Sequence, residues 1–370
     1  MKILVTGGAG FIGSHLVDAL VRRGHKVRVL DNLEEQVHHG EKPDYLHPGA
    51  EYLWGDVRDR RLLSKALRGI EILFHEAACV GVGQSMYQID KYVDNNTRSA
   101  SILLDMIVNK KLPIQKMVVA SSMSIYGEGA YRCADCGPVF PSVRPEEQLR
   151  RRQWEMLCPR CRKPLEPQPT AEEKPLAPTS VYAITKRDHE ELFLTVGRAY
   201  RIPTVALRYF NVYGPRQNLS NPYTGVCAIF SARIKNNNPP LIFEDGLQSR
   251  DFVHVSDIVQ ANLLVMKNHR ADGQAFNVGT GHSTSILEIA RTLGRLYGND
   301  IDPEIPKRFR AGDIRHCYAE ISKLRAIGFQ PTVKLKDGLR QLVQWGQHVA
   351  AKDEVQKAAS ELETRGLTRG

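Results

Sequence analysis

A short apolar run, Lys2-Ile3-Leu4-Val5-Thr6, breaks into Gly7-Gly8-Ala9-Gly10-Phe11-Ile12-Gly13, and an apolar-periodic stretch follows as far as Gly24. No other feature narrows the possible folds so far. Gly8, Gly10 and Gly13 satisfy Gly-x-Gly-x-x-Gly, while Gly7, Gly10 and Gly13 satisfy Gly-x-x-Gly-x-x-Gly. The spacing describes a strand that turns tightly into a helix, with free backbone amides at the helix N-terminus and no side chains to hold an anion away. A pyrophosphate suits such a turn, although glycine-rich turns without a ligand share the bare pattern, so the context has to decide.

The context is favourable. A second strand, Lys26 to Leu30, ends in Asp31, 18 residues beyond Gly13. A carboxylate at that place binds adenosine ribose hydroxyls and repels a 2′-phosphate, which points to NAD over NADP. The candidate cofactor set is therefore Gly7, Gly10, Phe11, Ile12 and Gly13 at the phosphates, Asp31 and Asn32 at the ribose, and Asp56 and Val57, after a third extended segment, at the adenine edge. Asp31 and Asp56 would otherwise read as loop caps.

Beyond that unit the chain keeps alternating. A helical pattern runs Arg61 to Leu67, a buried strand Ile70 to His75, a helix about Thr97 to Val108, a strand Lys116 to Ser121, a helix Val181 to Ala199 and a strand Thr204 to Arg208. Short apolar strands alternating with helices predict an α/β fold, a Rossmann doubly wound parallel sheet with right-handed crossovers. With 370 residues, 42% hydrophobic and 25% charged, the chain is long and apolar enough for a sizeable core and is no disordered or fibrous polymer. No apolar run approaches the roughly 20 residues of a membrane helix, so a cytoplasmic protein without membrane contact is expected. A formal charge of +10 favours anionic partners without choosing among nucleotide, nucleic acid and membrane.

Ser180-Val181-Tyr182-Ala183-Ile184-Thr185-Lys186 sets Tyr182 and Lys186 four apart, on one helix face. A phenol is a poor base at neutral pH, and a fixed ammonium beside it draws its pKa down, so the pair makes a candidate proton acceptor. Ser122 and Ser124 lie where the strand Met117 to Ser121 ends, the edge at which such sheets bind ligands. They are candidate hydroxyl partners for a substrate, or a plain turn.

Cys133-Ala134-Asp135-Cys136 and Cys158-Pro159-Arg160-Cys161 are separated by 21 residues in a stretch with seven Pro and no long apolar period. Two Cys-x-x-Cys knuckles supply four thiolates for a structural zinc site, with no open position for catalytic water; a rubredoxin-like iron is the chemical alternative, and metal-free thiols the plain one. The odd total of seven cysteines argues against a disulfide framework and leaves Cys79, Cys227 and Cys317 as isolated small residues.

The glycine turn, Ser121-Ser122 ahead of Tyr126-Gly127, Tyr182 with Lys186, Arg208-Tyr209-Phe210-Asn211-Val212-Tyr213-Gly214-Pro215 and Arg250-Asp251-Phe252-Val253 together resemble the extended short-chain dehydrogenase/reductase family, over about residues 1 to 345. Within it the chain is similar to nucleotide-sugar 4-epimerases, and the runs Val80 to Tyr87 and Leu219 to Gly225 are similar to those of enzymes acting on dTDP-L-rhamnose, a dTDP-6-deoxyhexose. The resemblance implies that Tyr182 takes the sugar O4 proton, Lys186 tunes it and holds the nicotinamide ribose, and Ser122 bridges O4. It further implies hydride leaving C4 for tightly held NAD and returning to the other face of a 4-keto sugar. It places Asn211, Arg250 and Arg310 at the diphosphate, Phe243 at the base, and His75 to Ala78, with Ala77 among the cofactor residues, near the cofactor phosphate. It also implies a homodimer through the helices near Thr97 to Val108 and Val181 to Ala199. UDP-glucose or UDP-glucuronate are the alternative substrates. A dehydratase or a net reductase is the alternative enzyme, but where sugar dehydratases carry an Asp-Glu pair this chain has Met123 and Ser124. In a different class, a zinc-knuckle nucleic-acid module could use Arg150 to Arg152, though that would leave Tyr182, Lys186 and Ser122 unexplained.

The expected layout is an NAD-binding Rossmann domain over 1–127, 171–215 and 248–268, and an inserted four-cysteine zinc subdomain over 128–170. A smaller α/β substrate lobe takes 216–247 and 269–348, and a helical tail, solvated or oligomer-facing, takes 349–370.

Overall fold

A computed structural model describes residues 1–299, 301–310 and 312–369. Its central sheet has seven strands, β1 (Lys2–Thr6), β2 (Lys26–Asp31), β3 (Glu51–Trp54), β4 (Ile72–His75), β5 (Lys116–Ser122), β6 (Thr204–Tyr209) and β7 (Gln274–Val278), in the order β7-β6-β5-β4-β1-β2-β3. Every neighbouring pair is parallel. The order reverses between β1 and β4, which opens a crevice at the carboxyl ends of those strands.

Alternation along each strand builds two cores. Ile3, Val5, Val118 and Ala120 face the helices Phe11–Arg22 and Val255–Lys267. Leu4, Met117 and Val119 face Ser99–Asn109 and Val181–Tyr200. Because both faces are covered, β4, β5 and β6 are buried at every residue. A third core joins the helices Val226–Lys235, Ile286–Tyr297 and Leu335–Gln347 into a lobe beside the sheet's carboxyl edge.

Three segments differ from the sequence reading. Gln274–Val278, expected in the substrate lobe, is the edge strand β7 of the central sheet, because its backbone pairs in parallel with β6 and its Phe276 and Val278 enter the first core. The helix expected from Thr97 begins as a π-helical turn, Val93–Arg98, and becomes α-helical at Ser99. Within that turn Asn96 sends Nδ2 to the Thr185 hydroxyl and to the Cys79 carbonyl, bonds that tie it to the tyrosine helix and to the segment after β4. The tail is helical only over Val355–Thr364, and it folds back on its own chain instead of standing in solvent. There Glu361 accepts hydrogen bonds from the Tyr87 and Tyr223 hydroxyls, and Thr368–Arg369 pairs with Phe309–Arg310. Among the described residues no helix is long and apolar enough to cross a membrane.

His75 closes β4 and is fully buried, with Nδ1 2.8 Å from the Thr6 hydroxyl and its ring stacked on Phe193. Burial, aided by the Lys186 charge, pushes its pKa down to about 3. The native ring is therefore neutral where the unfolded ring, near 6.5, takes a proton. Stability from this residue falls as pH drops from 6.5 toward 3, by about 1.4 kcal/mol per pH unit at most. Urea unfolding between pH 6.5 and 5 should show a slope steeper in the wild type than in His75→Gln by about 1 kcal/mol per pH unit; equal slopes would refute the buried neutral ring.

Candidate functional site

A cavity of about 630 Å³ runs from the glycine turn, past the ends of β4 and β5, to Phe243 in the lobe. Its first wall is the β1-to-helix turn. Gly7 has φ +69, and a Cβ on it would stand 2.7 Å from the Ala77 amide nitrogen; on Gly13 a Cβ would stand 2.1 Å from the Gly7 carbonyl oxygen. Neither position can carry a side chain. The helix Phe11–Arg22 starts at Gly10 with no side-chain cap and no acid in its first turn, so its dipole and first amides face the cavity.

At the end of β2, the buried Asp31 accepts from the Ala9 and Leu33 amides at 3.0 and 2.9 Å. Asn32, Asp56, Val57 and Ala77 line the same end of the cavity. Burial works against ionised Asp56, but the Arg58 guanidinium on it prevails and holds its carboxyl below the ordinary range. The donor set, the cradle and the charge fit a dinucleotide with free ribose hydroxyls.

The second wall is the helix Val181–Tyr200. Ser180 caps it, its hydroxyl accepting from the Ala183 amide at 3.1 Å, and the short helix Val82–Ser85 docks on it, the Tyr182 amide donating to the Ser85 hydroxyl at 3.0 Å. Tyr182 and Lys186 are both buried and both face the cavity. Lys186 Nζ donates to the Ala120 carbonyl at 2.8 Å. From β5 comes Ser122, whose hydroxyl accepts from the Ser124 amide at 3.2 Å and the Ser124 hydroxyl at 2.9 Å, capping the turn Met123–Tyr126. The structure thus brings Tyr182, Lys186, Ser122 and Ser124 to one place.

Burial dominates the electrostatics of this group. It pushes the Tyr182 phenol up to about 12 against an opposing hydrogen bond from Ser122. Lys186 is pushed down to about 8, opposed by Glu76. The Glu76 carboxyl rises to about 7, again by burial, opposed by the Tyr209 hydroxyl that donates to Oε1 at 3.0 Å and by Lys186. The sequence groups Glu76 with the phosphate loop, yet its electrostatic partner is Lys186. Nothing in the local sequence signals that, because β4 meets the tyrosine helix only in the fold.

At the lobe end, Asn211 and Arg250 lie on the cavity wall, and Arg310 lies 4.7 Å over the Phe243 ring while pairing with Asp313 at 2.8 Å. Arg250 gives its fork to the Ser249, Ile314 and Arg315 carbonyls. The sequence reading missed Gln217 and Gln248 on this wall. Their amide oxygens, like that of Asn211, are buried without a partner among the described residues, which leaves polar capacity for a ligand. Arg208 and Asp251, prominent in the sequence, turn out to brace the fold: Arg208 binds Glu190, and Asp251 accepts from Thr280, Gly281 and Ala319 amides.

Away from the cavity, Cys133, Cys136, Cys158 and Cys161 converge, with all four sulfurs within 4.8 Å of one another. The first pair sits on the turn between the antiparallel strands Ala130–Cys133 and Gly137–Val139. Amides of Cys161 and Arg160 draw the Cys158 thiol down to about 6 against burial.

The chain matches the family model described as "NAD dependent epimerase/dehydratase family" over residues 3–145 and 160–279. It is 35% identical over 352 residues to a dTDP-L-rhamnose 4-epimerase of Burkholderia thailandensis, covering 93% of this chain and 94% of that protein. Among solved structures, UDP-glucose 4-epimerase from Thermotoga maritima with UDP-glucose superposes with a TM-score of 0.77 at 31% identity, over 94% of this chain and 99% of that one. UDP-glucuronic acid 4-epimerase from Bacillus cereus, with UDP-glucuronic acid and NAD, gives 0.78 at 28%, over 95% and 100%.

Gly13→Ala puts a methyl into the Gly7 carbonyl, so the turn has to open. Bound dinucleotide per chain, measured after denaturing release, should drop at least tenfold while far-UV circular dichroism stays native; undiminished cofactor would overturn the cradle.

Proposed function

The chain belongs to the NAD dependent epimerase/dehydratase family, and from that premise we propose that it inverts C4 of a nucleoside-diphosphate hexose, a dTDP-6-deoxyhexose of the dTDP-L-rhamnose type. The observation that carries the reading is the meeting of Tyr182, Lys186 and Ser122 in the cavity that begins at the glycine turn. NAD, when bound, supplies reversible hydride acceptance at the sugar carbon. The chain's residues do the rest. Ser122 orients the O4 hydroxyl, and Tyr182 accepts its proton as the C4–H bond breaks, leaving a 4-keto sugar. The same phenol returns the proton after the sugar turns over and C4 takes hydride on its other face.

With its pKa at about 12 the Tyr182 phenol is almost wholly protonated near neutral pH and so unable to accept a proton. Cationic charge at the reaction centre has to bring it down, and Lys186 is the cation of this chain on the same helix face. With Met123 and Ser124 after Ser122, no carboxylic acid stands at that turn to expel a hydroxyl, which supports epimerisation over dehydration. The 6-deoxy preference is supported by the identity to the Burkholderia enzyme. UDP-glucose and UDP-glucuronate are the second reading, carried by the superposed structures.

Arg250 and Arg310 are proposed at the diphosphate, Phe243 at the base, and Asp31 at the adenosine ribose, with an NAD preference. The four cysteines are proposed to hold one structural zinc: thiolates at about 2.3 Å from a tetrahedral ion lie roughly 3.8 Å apart, compatible with the sulfur cluster. The Rossmann body is proposed to include β7 as well, since that strand closes the edge of its sheet, while the rest of the lobe, the insert and the tail are proposed as assigned from sequence, with a homodimer through the paired helices.

Incubated with dTDP-L-rhamnose, the protein should yield the 4-epimer by NMR with no accumulation of free NADH, and Tyr182→Phe should lower kcat by at least 10³-fold, at the scale of removing a positioned acid–base group. Steady NADH release would sink the epimerase reading; turnover of UDP sugars alone would replace the substrate. Metal analysis should find one zinc per chain, absent in Cys133→Ser, which should unfold at lower urea.

A further inference from the structure

The inserted segment is joined to the lobe by a buried ionic cluster. Arg144, in the insert, grips Glu244 with both ends of its fork, Nη1 to Oε2 at 2.8 Å and Nη2 to Oε1 at 2.7 Å. Both side chains are almost wholly buried. On the other side of Glu244, Arg315 donates Nη1 to Oε2 at 3.0 Å and Nε to Glu155 of the insert at 3.1 Å. Glu244 itself has φ +59, a left-handed conformation that a non-glycine residue keeps only when its surroundings over-determine it. Its carboxylate is held by the arginine pair, and its amide donates to the Arg308 carbonyl at 2.7 Å. The residue before Glu244 is Phe243, whose ring lies under Arg310 on the cavity wall.

A second contact converges on the same place. Trp154 of the insert packs on Phe309, ring centroids 6.5 Å apart, and Phe309 immediately precedes Arg310. Phe243 and Arg310 are thus each one residue from a group the insert holds.

We propose that the insert is a positioning device for substrate affinity: through Arg144 on Glu244 and Trp154 on Phe309 it fixes Phe243 and Arg310 in the orientation that takes a nucleoside diphosphate. The inference rests on the reading that this end of the cavity binds the nucleotide. Orientation settled before binding removes an ordering cost from binding, so the insert acts on KM. It leaves kcat alone, because Tyr182, Lys186 and Ser122 are held by Ser85, Ala120 and Ser124, none of them in the insert.

The test uses the full-length holoenzyme, titrated calorimetrically with dTDP and UDP and assayed for turnover. Phe243→Ala checks the underlying reading: unchanged diphosphate affinity would show that the nucleotide sits elsewhere. With Phe243→Ala weakened, Arg144→Met should lower diphosphate affinity and raise KM at least tenfold, with kcat within about twofold and bound NAD unchanged. Arg144→Lys, which restores one cation without the fork, should recover part of the loss. Should Arg144→Met fail to fold, Trp154→Leu keeps every ion pair and should raise KM in the same direction. Wild-type affinity in the folded variant, or a loss confined to kcat or to urea stability, would overturn the proposal.

Discussion

One buried carboxylate sets the register on which the site depends. Glu190, two turns below Tyr182 on the same helix, accepts from the Ser121 hydroxyl at 2.7 Å and from Arg208 Nε at 2.9 Å. Ser121 lies on β5 and Arg208 on β6, so the bond pins the helix against both strands at their carboxyl ends. Leaving either partner of such a buried pair alone costs about 3–5 kcal/mol, which makes any slip of the helix unfavourable. Lys186 and Tyr182 then fall one and two turns along, opposite Ala120 and Ser122. The Arg208 guanidinium also bonds the Tyr126 hydroxyl, which donates to Asn277 on β7, so the bracing crosses the sheet.

Burial in the cavity built on that register widens the gap between phenol and ammonium and reverses their ordinary acid–base order. Burial raises Tyr182 to about 12 and Glu76 to about 7, and lowers Lys186 to about 8. Near neutral pH the phenol is therefore protonated while Lys186 is still largely an ammonium, so Tyr182 becomes a proton acceptor only when added positive charge draws it down, and the chemistry is conditional on a loaded site. A surface Tyr-x-x-x-Lys pair would have neither the perturbation nor the conditionality.

The lobe, insert and tail meet at the other end of the cavity. The tail reaches it by pairing Thr368–Arg369 with Phe309–Arg310, the insert by Arg144 and Trp154. Three segments remote in sequence therefore share responsibility for Phe243 and Arg310. Tyr87, Tyr223 and Glu361 form a second clasp of the tail on the body, with the two hydroxyls 2.6 Å apart.

Local physics was legible from the sequence. The turn at Gly7 to Gly13, the acid ending β2, the Tyr182–Lys186 spacing, the doubly wound alternation and the pairing of two cysteine knuckles all follow from backbone sterics, helix period or ligand spacing. Each acts over a few residues or repeats a fixed pattern, so each is written in order along the chain. What only the tertiary structure decided are contacts between segments with no mutual signal: Glu76 beside Lys186, Asn96 on Thr185, Arg144 on Glu244, and the tail folded over the cavity. Those depend on which buried charge finds which partner once the cores have closed. A lone Glu, Asn or Arg in sequence carries the need for a partner and no indication of where the partner lies.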